Sequence, residues 1–155
     1  MGLDKVYLSW WDIEKAIHSL ALAIRKSYFP DLIVGIARGG LIPAVSLSHT
    51  LGVEMAVVDV KFYRDVEGRE REPIIRTSFP INPQGKRVLL VDDVSDTGET
   101  LKVVLRELHN SGVLETKVAC LVVKPWTKVI PNFYVFRTDK WVVFPWEEFP
   151  VVVRE

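Results

Sequence analysis

Apolar side chains recur at helical spacing early in the chain, at Ile13, Ile17, Leu20, Ala21 and Ile24, while Lys15, His18 and Arg25 fall largely on other faces. That period predicts an amphipathic helix laid over a core. Ser9 stands where a cap is needed, Asp12 falls in the first turn, and Leu8 can staple onto Ile13. Pro30 closes the helix and the pattern changes. Leu32-Ile33-Val34-Gly35-Ile36 is continuously apolar, as a strand buried on both faces should be. Ala37-Arg38-Gly39-Gly40 follows, then a helix from about Pro43 to Leu51 ended by Gly52 in a left-handed cap, then a strand over Met55 to Val60.

Between Tyr63 and Pro83 the chain turns polar, with Arg64, Asp65, Glu67, Gly68, Arg69, Glu70, Arg71 and Glu72, and is too long for a tight connection. Such a segment is either a lid or a solvated hairpin tip. Val88 to Val91 is the most strand-like run, with Asp92 and Asp93 at its carboxyl end and a helix from about Thr100 to Ser111 that Gly112 terminates. Lys117 to Val123 predicts another buried strand, and the tail carries short strand-like pieces at Phe133 to Phe136 and Trp141 to Phe144, broken by Pro145 and Pro150. With no internal repeat, the order α, β, α, β, β, α, β predicts one α/β domain over residues 1–155, its mostly parallel sheet flanked by helices.

A length of 155 residues allows a real core and leaves little room for a second domain. Hydrophobic residues at 48% and charged residues at 26% exclude disordered and collagen-like classes. Lys plus Arg and Asp plus Glu are each 20, a balance that argues against duplex nucleic acid as a partner. The single Cys120 lies in an apolar run and reads as a buried inert thiol. No disulfide framework, secretory leader or membrane-length apolar run is evident, so a soluble cytoplasmic protein without a membrane partner is expected.

Ligands of open α/β sheets bind beyond the carboxyl ends of the strands. Val91-Asp92-Asp93-Val94-Ser95-Asp96-Thr97-Gly98-Glu99-Thr100 is such an end, offering amides, hydroxyls and a helix N-terminus to a phosphate. Its carboxylates would repel that phosphate unless a cation or hydroxyls intervene, which a Mg²⁺-bound sugar phosphate provides. The plain alternative is a solvated Asp-rich cap. The segment resembles the phosphoribosyl pyrophosphate signature of type I phosphoribosyltransferases: an apolar strand, two acids, two further residues, then D-T-G-x-T. The resemblance implies that Asp92 and Asp93 hold ribose hydroxyls, that Ser95, Asp96, Thr97, Gly98, Glu99 and Thr100 form the 5-phosphate loop, and that Asp96 lies beside the purine imidazole edge.

At the second strand end, Arg38-Gly39-Gly40 reads as a surface turn with an arginine or, by the same resemblance, as the pyrophosphate loop in which Arg38, Gly39 and Gly40 stabilise the leaving group. At the third, Lys124 is a solvated lysine and Trp141 a core aromatic, or the two belong together. Together they are similar to the base pocket of xanthine-guanine phosphoribosyltransferases. That implies Lys124 on the exocyclic oxygen at purine position 6, Trp141 stacked on the ring, the Val142 backbone at the base edge, and Glu147 near base and metal within a base-binding region of about residues 124–149. A Mg²⁺ ion would then involve Asp92, Asp93 and Glu147. The lid of about residues 62–83, with Tyr63, Arg64, Arg69 and Arg71, departs from the family's Ser-Tyr pair by carrying Phe62-Tyr63.

The resemblance implies displacement at the anomeric carbon of phosphoribosyl pyrophosphate by a 6-oxopurine, with Arg38 relieving leaving-group charge and Asp96 as general base. A noncatalytic sensor of phosphoribosyl pyrophosphate or nucleotides on the same fold is the rival. A lysine donor disfavours adenine, and no G-x-x-x-x-G-K-[ST] exists for a nucleoside triphosphatase. The apolar tail residues Trp126, Phe133, Trp146 and Phe149 predict a homodimer or homotetramer.

Overall fold

In the computed structural model, which describes residues 4–69, 72–76 and 79–154, the expected α/β architecture is observed. A short strand β1 (Lys5–Tyr7) precedes helix α1 (Trp10–Ser27). At its start the Ser9 hydroxyl accepts from the Asp12 amide at 3.1 Å and the Asp12 carboxylate accepts from the Ser9 amide at 2.8 Å, a reciprocal cap. Ile13, Ala16, Ile17, Leu20, Ala21 and Ile24 form its buried stripe. Tyr28 turns to extended backbone and ends the helix.

Next come β2 (Leu32–Ala37), α2 (Leu41–Leu51), β3 (Met55–Lys61), β4 (Ile74–Ile75), β5 (Arg87–Ser95), α3 (Glu99–Asn110), β6 (Glu115–Val123), β7 (Phe136–Arg137) and β8 (Trp141–Val143). The main sheet runs β4-β3-β2-β5-β6-β7 and is parallel except at β4. Alternation along each strand sends side chains to opposite faces. Leu89 and Val91 of β5 join Ile33, Ala119 and Leu121 beneath α1 and α2, whereas Val88 and Leu90 join Leu32, Val34 and Cys120 beneath α3. Both faces are covered, which is why these strands read as unbroken apolar runs. Burial also pushes the Cys120 thiol well above its usual value, as an inert core thiol requires.

Several boundaries differ from the sequence reading. Helix α2 begins at Leu41, because Pro43 falls in the first turn where no amide is needed. The strand expected at 133–136 is a single bridge from Phe133 to Ala119, followed by β7. Strand β1 was not foreseen. It pairs in parallel with β8, Lys5 opposite Trp141, in a separate two-stranded ribbon. Among the described residues no helix is long and apolar enough to cross a membrane.

Candidate active site at the strand ends

Strands β2 and β5 are parallel neighbours with Gly35 opposite Val91, so the turn after one and the loop after the other open on the same edge. The peptide bond between Ala37 and Arg38 is cis. A side chain at Gly39 would overlap the Asp93 carboxylate, and a Cβ at Gly40 would lie 2.6 Å from the Ile36 carbonyl and 2.7 Å from that of Val91. Only glycines let this turn press onto the end of β5. Arg38 is thereby carried, exposed, beside the acidic pair.

Asp92 is buried and Asp93 half-buried. Each uses one carboxylate oxygen locally: the Asp93 amide donates to Asp92 Oδ1 at 2.9 Å and the Val94 amide to Asp93 Oδ1 at 2.8 Å. Burial, then the charge of Asp93, holds the Asp92 carboxyl well above the usual range, and burial raises Asp93 as well. Two carboxylates so arranged suit hydroxyl donors or a cation.

The loop from Asp92 to Leu101 lines, with Phe62, a cleft of about 460 Å³. Gly98 turns it with φ 89° and starts α3 without a cap side chain of its own, while the Glu99 amide donates to the Thr97 hydroxyl at 3.3 Å. Asp96 and Thr97 are exposed on the loop, and Glu99 lies 3.6 Å from the Lys128 ammonium. Ser95 differs from expectation. Its hydroxyl donates to the Val129 carbonyl at 2.7 Å and meets the Thr127 hydroxyl at 2.8 Å, so it fastens the loop to the protein and has only its backbone to offer a ligand. Two larger grooves lie elsewhere, one between the β4 region and α3, the other between α1 and α2, and neither contains the strand-end acids.

Lys124 directly follows β6 and is almost fully buried. Its amide donates to the Ser95 carbonyl at 3.0 Å and its ammonium to the Lys140 carbonyl, which joins it to the segment carrying Trp141 and Val142. The Trp141 side chain is exposed while its amide donates to the Asp4 carbonyl at 3.0 Å; Val142 is buried opposite Val6. Glu147 does not join the acidic pair. Its carboxylate folds back to accept from the Phe144 amide at 3.4 Å, and among the described residues no cluster of three or more His, Cys, Asp or Glu forms a cation site. Trp146 stacks on Phe144 with centroids 4.6 Å apart, inside the packing of the molecule.

Of the residues expected in a lid, Tyr63 lies under the Lys61 ammonium, Arg69 pairs with Glu67, and Arg64 forms a backbone bridge. Arg71 and the adjacent Glu70 lie outside the described residues. Trp126, which sequence reading used only as part of the apolar tail, donates its indole N–H to Asp96 Oδ1 at 2.7 Å. The only signal for it was an aromatic directly after Lys124-Pro125 at a strand end.

Comparison with known proteins places the chain in a family. Xanthine-guanine phosphoribosyltransferase of Gluconobacter oxydans (strain 621H) is 35% identical over 150 residues, covering 94% of this chain and 86% of its own. A protein of Geobacter sp. (strain M21) called bifunctional protein PyrR is 39% identical over 123 residues, covering 72% of this chain and 70% of its own. The crystal structure of purine phosphoribosyltransferase from Pyrococcus horikoshii Ot3 superposes with a TM-score of 0.88 at 56% identity, covering 99% of this chain and 100% of that one. The phosphoribosyl transferase domain model matches residues 5–154, and the chain belongs to that family.

Proposed function

We propose that the protein transfers the 5-phosphoribosyl group of phosphoribosyl pyrophosphate to a 6-oxopurine, giving the nucleoside 5-monophosphate and pyrophosphate in purine salvage. One observation carries the reading: the Arg38-Gly39-Gly40 turn is pressed against Asp93 by glycine contacts no other residue allows, so two anion-binding loops share one edge with an acidic pair between them. A ligand with phosphate at both ends and hydroxyls in the middle fits that order. The names of the Gluconobacter and Pyrococcus proteins support it.

In the reaction, the bond from the anomeric carbon to pyrophosphate breaks as a bond to the purine imidazole nitrogen forms. Arg38 meets the charge developing on the departing pyrophosphate. Asp96 accepts the proton leaving the imidazole ring. Asp92 and Asp93 orient the ribose by accepting from its hydroxyls, and the amides at the start of α3 with the Thr97 and Thr100 hydroxyls hold the 5-phosphate. Lys124 donates to the exocyclic oxygen of the base, Trp141 stacks on the ring, and the Val142 backbone reads its edge. Tyr63, Arg64, Arg69 and Arg71 belong to a lid that limits attack by water. The carboxyls of buried Asp92 and half-buried Asp93, both raised, suit a divalent cation. Mg²⁺, held by them together with the substrate, would supply charge relief to pyrophosphate. A reducing cytoplasm suits the unpaired Cys120.

Pyrophosphate release measured with phosphoribosyl pyrophosphate and Mg²⁺, on guanine, xanthine, hypoxanthine, adenine and uracil in turn, tests the reading. Turnover limited to 6-oxopurines is expected. Binding of the sugar phosphate without turnover on any base would instead favour a sensor on the same fold.

A further inference from the structure

The scheme above leaves unused a side chain that meets both Asp96 and Lys124. Trp126 donates its indole N–H to Asp96 Oδ1 at 2.7 Å, and the Lys124 ammonium lies 5.6 Å from its ring centroid, within cation–π range. The segment bearing it is laced to the phosphate loop. The Ser95 hydroxyl binds Thr127 and Val129, the Lys128 amide donates to the Thr97 carbonyl at 3.1 Å, and the Thr127 amide donates to the Lys124 carbonyl at 3.2 Å. Packing does not account for Trp126, which is 54% exposed. An indole that open to solvent can be satisfied by water, so its aim at Asp96 is a matter of position.

We propose that Trp126 is a positioning residue that fixes the Asp96 carboxylate and the Lys124 ammonium at one separation, matched to the imidazole nitrogen and the exocyclic oxygen of a single 6-oxopurine. The inference rests on the proposed function and assigns a new residue to that site. Holding Oδ1 of Asp96 stops the side chain from sampling other rotamers and leaves Oδ2 for the proton of the base. On the other side, the ammonium of Lys124 has one donor on the Lys140 carbonyl and faces the indole ring. A further donor remains for the base, aimed by those two contacts. The two groups lie on different loops, and Trp126 makes them one unit.

The two contacts are separable by substitution. Trp126→Phe keeps a ring for Lys124 and removes the donor to Asp96; Trp126→Leu removes both. With Trp126→Phe, kcat is expected to fall about tenfold, the scale of a lost hydrogen bond to a charged group, while KM for the base stays within about twofold. With Trp126→Leu, the same loss of kcat is expected together with a rise of about threefold or more in KM for the base, the scale of a lost cation–π contact. In an Asp96→Asn background, Trp126→Phe should cost little further, because residues acting through one another are not additive. Undiminished kcat in Trp126→Phe, or equal losses in both backgrounds, would overturn the proposal.

The contact is also read without turnover. The indole N–H resonance of Trp126, assigned by its loss in Trp126→Phe, should move in Asp96→Ala and stay in Ser111→Ala. A resonance indifferent to Asp96→Ala would sink the inference. Absence of wild-type turnover on every base, with that resonance still responding, would sink the proposed function and leave only the Trp126–Asp96 contact in place.

Discussion

Asp92 holds a carboxyl where charge is least welcome: 9% exposed, at the end of a buried strand, with Asp93 adjacent. Its proton affinity in the fold is raised above the ordinary value of 3.8. Above that value the folded state therefore binds more protons than the unfolded one, and stability is lost as pH climbs from 3.8 through the raised folded value. Asp92→Asn removes this penalty. The ligand-free variant should melt about 2–4 °C higher at neutral pH, the shift that 1 kcal/mol makes in a domain this size, and should gain nothing near pH 4. Binding of the sugar phosphate, followed by calorimetry, should weaken in the same variant. A melting temperature unchanged at neutral pH would mean that Asp92 is better solvated than its surroundings imply. The acidic pair was legible from sequence because strand, acids and loop are contiguous. The Trp126–Asp96 contact was not, since residues thirty positions apart declare no proximity in a single sequence. Glu147 shows the converse: a motif carried its identity, while the orientation of its carboxylate toward the Phe144 amide is not written in the sequence.

At the scale of elements, α3 starts on Gly98 rather than on a capping side chain, with φ 89° and an implied Cβ 2.8 Å from the Val129 amide. Gly98→Ala should destabilise the fold by about 1–3 kcal/mol through left-handed strain alone. The pressure on the strap at Val129 should also raise KM for phosphoribosyl pyrophosphate more than KM for the base. Chemical denaturation and initial-rate kinetics check the two parts. A second test lies at the far end of the sheet, where the Tyr28 hydroxyl donates to the Val88 carbonyl at 2.8 Å and links α1 to β5. Tyr28→Phe should cost about 1 kcal/mol in denaturation and leave turnover intact. Long helices and buried strands were legible because their periods span many residues. Strand β1 was not, because three residues contain too little period, and its partner β8 is supplied from the other end of the sequence.

At the scale of the whole molecule, the apolar tail that suggested self-association is partly accounted for within one chain. Phe133 and Trp146 pack against the core and Trp126 serves Asp96, whereas Phe149, Val151, Val152 and Val153 remain exposed. A homodimer or homotetramer is proposed on those four residues. Light scattering should report a multiple of the chain mass, and Phe149→Ser should shift it toward the single chain. A monomeric wild type would assign the exposed tail to another use. The ribbon of β1 and β8 bears on time as well as space. It joins segments that lie nearly the full sequence apart, and such closures are entropically the most expensive to make. During synthesis β2, β5 and α3 are all added to the chain before Trp141. The edge proposed for sugar phosphate can therefore take shape on a growing chain well before the platform for the base, which must wait for the tail to return and find the first strand.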